Sequence, residues 1–208
     1  FFLEALAIQC FINEYLYSEA PEELDLIDKI EKGLRDSITD NQQPNIEHLL
    51  LLSCYRPLNK YSWSSRIELT GQFPDFERRL LSEPRRQSSI IKKIPNVKDI
   101  SNSISEKVRT QYEESPYPRW VNLSLSLQAK TVADFASARN LKLHDDAIKR
   151  IKSPMILVAG CGTGRQSIET ASRFMNCHVT AVDLSRASLA YAQRETKGRG
   201  FNNIDYWQ

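Results

Sequence analysis

Three glycines at alternate positions, Gly160, Gly162 and Gly164, enclose Cys161 and Thr163 and follow directly on the apolar run Met155 to Ala159. A helix-like stretch comes next, with Ile168, Ala171 and Phe174 on one face. A chain turning this sharply from strand to helix needs glycine, because without a Cβ the main chain can lie against a ligand. The first N–H groups of the new helix also point into the crevice. Asp183 stands nineteen positions after Gly164, at the carboxyl end of a second short run, His178 to Val182. An acid placed there can accept hydrogen bonds from ribose hydroxyls. A glycine turn alone is compatible with a tight structural corner. Turn, flanking strand and helix, and strand-end acid in one register point instead to a nucleoside-binding crevice.

The elements that must position these residues form a βαβαβ sequence. The run Met155 to Ala159 is continuously apolar, the pattern of a strand covered on both faces in a parallel sheet. Ser185 can cap a helix that runs through Leu189, Ala192 and Arg194, with Leu184 and Leu189 placed as a hydrophobic staple and Gly198 and Gly200 at its end. Asn203 to Trp207 reads as a third strand, Ile204 and Tyr206 alternating. Five of the seven glycines lie between positions 160 and 200, so backbone freedom is concentrated where the turns need it. A nicotinamide or flavin site wants GxGxxG or GxGxxA, but here the third glycine comes one position early and Arg165 takes the place of the small residue. That spacing disfavours an NAD-dependent oxidoreductase. Arg165 itself reads as a surface helix residue that could touch the carboxylate of a cofactor.

Upstream the grammar is helical. Residues 1–17 carry Phe1, Ala5, Ile8, Ile12, Tyr15 and Leu16 at helical spacing, with further apolar groups around the cylinder. Pro21 with Glu22 and Glu23 starts a second helix bearing the stripe Leu24, Ile27, Ile30 and Leu34. A third, built on Ile46, Leu49, Leu50 and Leu52, must end near Arg56 because Pro57 follows, and a fourth starts at Pro74. No repeat of helical-hairpin length is present in residues 1–68. From Ser82 to Ser103 the prolines, serines and basic residues read as a linker or loose arm, its charges solvated. Ile104, Val108 and Tyr112 then mark another helix running into Glu113-Glu114-Ser115-Pro116-Tyr117-Pro118-Arg119-Trp120. Tyr112, Tyr117, Arg119 and Trp120 form either a lid over the crevice or an inter-domain packing corner. The expected fold class is α/β: an all-helical domain at 1–82, a linker and helical connector at 83–152, and the first βαβαβ half of a Rossmann-like domain at 153–208.

With 28 basic against 26 acidic residues and a formal charge of +2, the chain lacks the basic excess of a nucleic-acid binder. Its apolar opening contains Glu4 and Glu14, lacks a basic leader and is too short to span a bilayer, so a cytoplasmic protein without membrane contact is expected. Cys10, Cys54, Cys161 and Cys177 are scattered with no CxxC, which favours neither a metal site nor a disulfide framework. Cys161 is expected to pack rather than react, and none of His48, His144 and His178 is assigned to catalysis.

Val158-Ala159-Gly160-Cys161-Gly162-Thr163-Gly164 with Val182-Asp183-Leu184-Ser185 closely resembles motifs I and II of class I S-adenosylmethionine-dependent methyltransferases. The resemblance implies S-adenosyl-L-methionine as cofactor, with Gly160, Cys161, Gly162, Thr163 and Gly164 bordering its methionine moiety and Asp183 with Leu184 at its ribose. Gln111 to Trp120, together with Gln9 to Tyr15, is similar to bacterial methyltransferases that carry tetratricopeptide repeats, which would then precede Phe1. A start at Phe-Phe and an end at Gln208, before the adenine-side acid and fourth strand of that family, imply an excised piece that is itself inactive. The methyl acceptor, a protein or a small molecule, and any catalytic base remain unassigned. A helical interaction module joined to a methyltransferase-like domain that binds nucleoside without catalysis is the alternative.

Overall fold

The computed structural model describes residues 2–69, 71–95, 103–114 and 116–208, and for residues 103–106 and 108 the backbone alone. The side chains of Ile104 and Val108, Ser115 of the proline-bounded turn, and residues 96–102 of the expected linker lie outside the described residues. The chain divides into two units, Phe1–Arg86 and Gln87–Gln208.

In the first unit, α1 (Phe2–Ile12) packs on α3 (Ile46–Tyr55), and α2 (Pro21–Thr39) packs on α3 as well. Proline opens α2, and the Glu23 carboxylate reaches back to accept from the Ala20 N–H at 2.7 Å, holding the first turn. The buried stripe of α2 is Ile27, Ile30, Leu34 and Ile38. Leu24, placed in that stripe from its spacing, is 39% exposed, and burial begins one turn later at Ile27. Helix α1 buries Ala7, Cys10 and Phe11 rather than the Ala5, Ile8 and Ile12 row. Asn45 caps α3 by accepting from the His48 N–H at 3.0 Å.

The stretch after Ser82 corrects the expectation of a loose arm. A short α4 (Pro74–Phe76) continues through a π-helical segment, Glu77–Ser82, into α5 (Glu83–Ile91). Pro84 has no N–H and is tolerated because it sits in the first turn of α5, directly after the widened segment. Its apolar residues are few, so no periodic stripe announces the helix. Two long-range contacts anchor its end in the second unit: Gln87 is buried and donates from Nε2 to the Ala187 carbonyl at 3.0 Å, and Ile94 joins that unit's core.

The second unit is built on three parallel strands, β1 (Met155–Ala159), β2 (His178–Val182) and β3 (Ile204–Trp207), in the order β1-β2-β3. Val158 pairs with Ala181 and Ala181 with Tyr206, so the three carboxyl ends finish level. Crossovers run through α9 (Arg165–Arg173) and α10 (Arg186–Gly198), whose Ile168, Ala171, Leu189 and Ala192 share one core with Val158, Val179, Ala181, Ile204 and Tyr206. Tyr206 donates to or accepts from Thr196 inside that core, Oη to Oγ1 at 2.7 Å, and burial raises its phenol pKa. Strand β1 departs from the expected double burial: Met155 is 75% and Leu157 66% exposed, because β1 is the outer strand and its second face is uncovered among the described residues. Three more helices belong to this unit: α6 (Ser103–Glu114), α7 (Val132–Ser137) and α8 (Asp146–Lys149).

Candidate binding cleft

Level strand ends put the glycine turn after β1, Asp183 after β2 and Gln208 after β3 on one edge of the sheet. The ladder carries past the strands, Cys161 N–H donating to the Val182 carbonyl at 3.0 Å and Asp183 N–H to the Trp207 carbonyl at 3.2 Å. A cleft of about 830 Å³ opens there, and Gly160, Cys161, Gly162 and Thr163 line it together with Asp183 and Leu184. Six of the seven expected cofactor residues thus share one concavity; the seventh, Gly164, does not line it.

The three glycines do different jobs. Gly160 has φ +67° and Gly162 φ +52°, left-handed values that a side chain disfavours, and a Cβ on either would meet nothing within 4 Å. Their main chain is therefore bare toward open space, the form of a cradle that side chains would fill. Gly164, with φ +84°, instead faces α10: a Cβ there would lie 2.4 Å from the Ala192 Cβ and 3.1 Å from the Tyr206 hydroxyl. Its place in the motif is explained by helix packing.

Asp183 ties turn to strand. Its Oδ2 accepts from the Gly162 N–H at 2.7 Å and its Oδ1 from the Ser185 N–H at 2.9 Å, so one carboxylate fixes both the glycine loop and the entry to α10. Ser185 caps α10, its hydroxyl accepting from the Ser188 N–H at 3.0 Å while donating to the Tyr112 carbonyl at 2.9 Å. Glu113 completes the joint, accepting from the Arg186 and Ala187 N–H groups at 2.6 and 3.0 Å. A carboxylate on the first N–H groups of a helix satisfies orphan donors and complements the dipole. Nothing local in the sequence marks Glu113 for this, since its partners lie more than seventy residues away.

The four aromatic-segment residues separate. Tyr112 and Tyr117 line the cleft, along with Pro118. Trp120 is buried beneath the glycine turn: its indole N–H donates to the Thr163 carbonyl at 3.1 Å, and its ring meets Tyr191 edge-on at 5.6 Å. The Thr163 hydroxyl donates back to the Pro118 carbonyl at 2.7 Å. Trp120 therefore acts as an anchor for the turn, and Arg119, also expected beside the cofactor, is absent from the cleft lining.

Arg165, read from the sequence as a surface helix residue that could touch a cofactor carboxylate, lines the cleft, and other lining residues were not singled out from sequence. Gln166 and Glu169 join it on one side of α9, and Glu169's spacing of three and four residues from Gln166 and Arg165 is a signal that could have been read. Gln208 also lines the cleft, its side-chain amide donating to the Leu184 carbonyl at 2.8 Å. Leu184 stays at the cleft while Leu189 is fully buried in the core.

Cys161 sits in the cleft wall but is buried, and burial together with the nearby Asp183 charge pushes its thiol pKa up to about 12. A thiol so shifted is almost wholly protonated at pH 8, and only the thiolate is a nucleophile. Iodoacetamide at pH 8 should leave Cys161 unmodified in the folded chain and alkylate it in urea, as read by peptide mass spectrometry. Ready alkylation of Cys161 in the native chain would contradict this environment.

With the geometry in view, residues 156–208 match the family model described as "Methyltransferase domain". The matched residues cover the cleft-forming strands, about a quarter of the chain. No curated protein matches the chain. Among solved structures, coclaurine N-methyltransferase bound to N-methylheliamine and SAH is similar over 97% of this chain and 49% of its own, at 16% identity and a TM-score of 0.33. A structure described as "Conversion of a Disulfide Bond into a Thioacetal Group during Echinomycin Biosynthesis" is similar over 50% of this chain and 38% of its own, at 20% identity and a TM-score of 0.30. The chain spans less than half the length of either, and likenesses this weak decide neither fold nor activity. Among the described residues no helix is long and apolar enough to cross a membrane, and no cluster of three or more metal-ligating side chains occurs.

Proposed function

We propose that the cleft binds S-adenosyl-L-methionine and that the protein is an S-adenosylmethionine-dependent methyltransferase acting on a protein or small-molecule acceptor. The observation that supports this most is the convergence of Gly160, Gly162 and Asp183 on one cleft, the glycines offering bare main chain and the acid standing at the end of β2. The cradle fits the cofactor's amino-acid end, and Asp183, with Leu184 beside it, fits the ribose. When bound, the cofactor supplies an electrophilic methyl group. The chain's own part is positioning and exclusion of water, which accounts for most of the work in an in-line displacement. Tyr112 and Tyr117, on the cleft wall, are the residues for covering it. A cytoplasmic protein akin to the bacterial methyltransferases with tetratricopeptide repeats is the finer reading, supported by the segments Gln9 to Tyr15 and Gln111 to Trp120.

Calorimetric titration of S-adenosylhomocysteine into the chain, with NAD as the control, tests the reading. Selective binding of S-adenosylhomocysteine is expected. Binding of NAD instead would replace the methyltransferase with an oxidoreductase, and a folded chain that takes up neither nucleoside would leave an interaction module.

A further inference from the structure

The wall of the cleft carries an ion pair that helix stability does not explain. Arg165 is the first residue of α9, and its Nε lies 3.1 Å from Oε1 of Glu169, one turn on. Both residues line the cleft with Gly160 and Gly162. A pair that served the helix would run the other way: an acid belongs in the first turn, where the dipole is positive, and an acid four residues before a base is the favourable order. Here a guanidinium stands at the positive end and no acid occupies the first turn. An exposed pair of this kind contributes little to helix stability even in the favourable order. The charges are thus arranged against the helix and toward the cleft.

Each group also has capacity to spare. Arg165 uses Nε alone, and its two Nη groups make no polar contact among the described residues, leaving a planar fork of the kind that takes a carboxylate in two parallel bonds. The Arg165 side chain is 55% exposed and the Glu169 side chain 20%. An anion bound by the fork would sit at the amino end of α9, where the helix N–H groups add to the attraction. A cation beside it would meet Glu169. One cleft wall therefore presents a plus and a minus a few ångströms apart.

We propose that Arg165 and Glu169 together read an α-amino-acid zwitterion, Arg165 pairing with the carboxylate and Glu169 with the ammonium group. On the reading that the cleft takes S-adenosylmethionine, on which this rests, the pair recognises the amino-acid end and makes the site discriminate against adenosyl thioethers that lack it. Arg165 and Glu169 are binding and specificity residues here, with no part in bond making.

The test compares S-adenosylhomocysteine with 5′-methylthioadenosine, which keeps the adenosine and the thioether but has neither carboxylate nor ammonium. Both are titrated calorimetrically into the wild-type chain, Arg165→Met and Glu169→Gln. The wild type should bind S-adenosylhomocysteine the more tightly. Arg165→Met should lose about tenfold in that affinity, the scale of one charge-assisted contact at a half-exposed site, and keep its methylthioadenosine affinity within about twofold. Glu169→Gln should weaken S-adenosylhomocysteine alone, by less. Retained methylthioadenosine binding also shows that each variant is folded. Equal losses for both ligands, or no loss for either, would overturn the zwitterion assignment while the cofactor reading stood. A wild-type chain that binds neither ligand would remove the cofactor reading and this assignment with it.

Discussion

Replacing Gly164 with alanine should destabilise the second unit by about 2–5 kcal/mol, whereas the same change at Gly160 or Gly162 should cost about 1–2 kcal/mol. All three hold left-handed backbone, so each alanine carries the same conformational penalty. Only at Gly164 does the new methyl meet something. It would lie 2.4 Å from the Ala192 Cβ and 3.1 Å from the Ala192 Cα, atoms fixed to the backbone of α10 that no rotamer change can move aside. Helix and turn would have to separate, adding the penalty of an overpacked core, about 1–3 kcal/mol. Tyr206, whose hydroxyl stands 3.1 Å from the same point, would be pressed away from Thr196. Urea unfolding of the three variants checks this. Similar losses at all three positions would mean that α10 does not approach the turn as closely as the structure has it, and the order Gly164 far above Gly160 and Gly162 is the expected result.

That contrast shows where sequence reasoning stops. The strand, the glycine turn, the second strand and its terminal acid are local and contiguous, so their identity was legible from residue type and spacing. What each glycine is for depends on a helix more than twenty residues further along, and spacing is silent about it. Trp120 shows the same limit: an aromatic near a glycine-rich turn can cover a ligand or pack beneath the turn, and only its bond to the Thr163 carbonyl decides for packing. In α1 the difficulty is different. Apolar residues surround the whole cylinder, so a periodicity cannot choose a face, and tertiary packing selected Ala7, Cys10 and Phe11. Helix α5 escaped notice because a proline in its first turn and a run of polar residues look like a linker, while its support comes from Gln87 and Ile94, residues bonded or packed far along the chain. Glu113 is the sharpest case among the site residues, since its role as a cap for α10 exists only in three dimensions.

Asp183→Ala should abolish measurable nucleoside binding, lowering affinity for S-adenosylhomocysteine about 100-fold or more, and should also lower stability by about 1–3 kcal/mol. The first figure is what the proposed ribose contact implies: two charge-assisted hydrogen bonds to ribose hydroxyls, each about 1.5 kcal/mol or more, would sum to about two decades in affinity. The second follows from the backbone: Gly162 and Ser185 would each lose the acceptor for an N–H, and the loop that forms the cradle would lose its tie to β2. Asp183→Asn separates the two effects. An amide keeps one acceptor oxygen but turns its NH₂ toward one of the two backbone donors, so one of the ties must break while the side chain keeps its size. If Asp183 both holds the turn and meets the ribose, Asp183→Asn should lose less stability than Asp183→Ala, one tie remaining, and still lose at least about tenfold in affinity. Were the aspartate only a clamp on the glycine turn, affinity would follow stability, and the asparagine variant would lose no more affinity than its one broken tie accounts for. Calorimetry with S-adenosylhomocysteine alongside urea unfolding of the same two variants distinguishes these outcomes. Wild-type affinity in Asp183→Asn would remove the ribose contact from the proposed site and leave the acid as a structural bridge between two strands' ends.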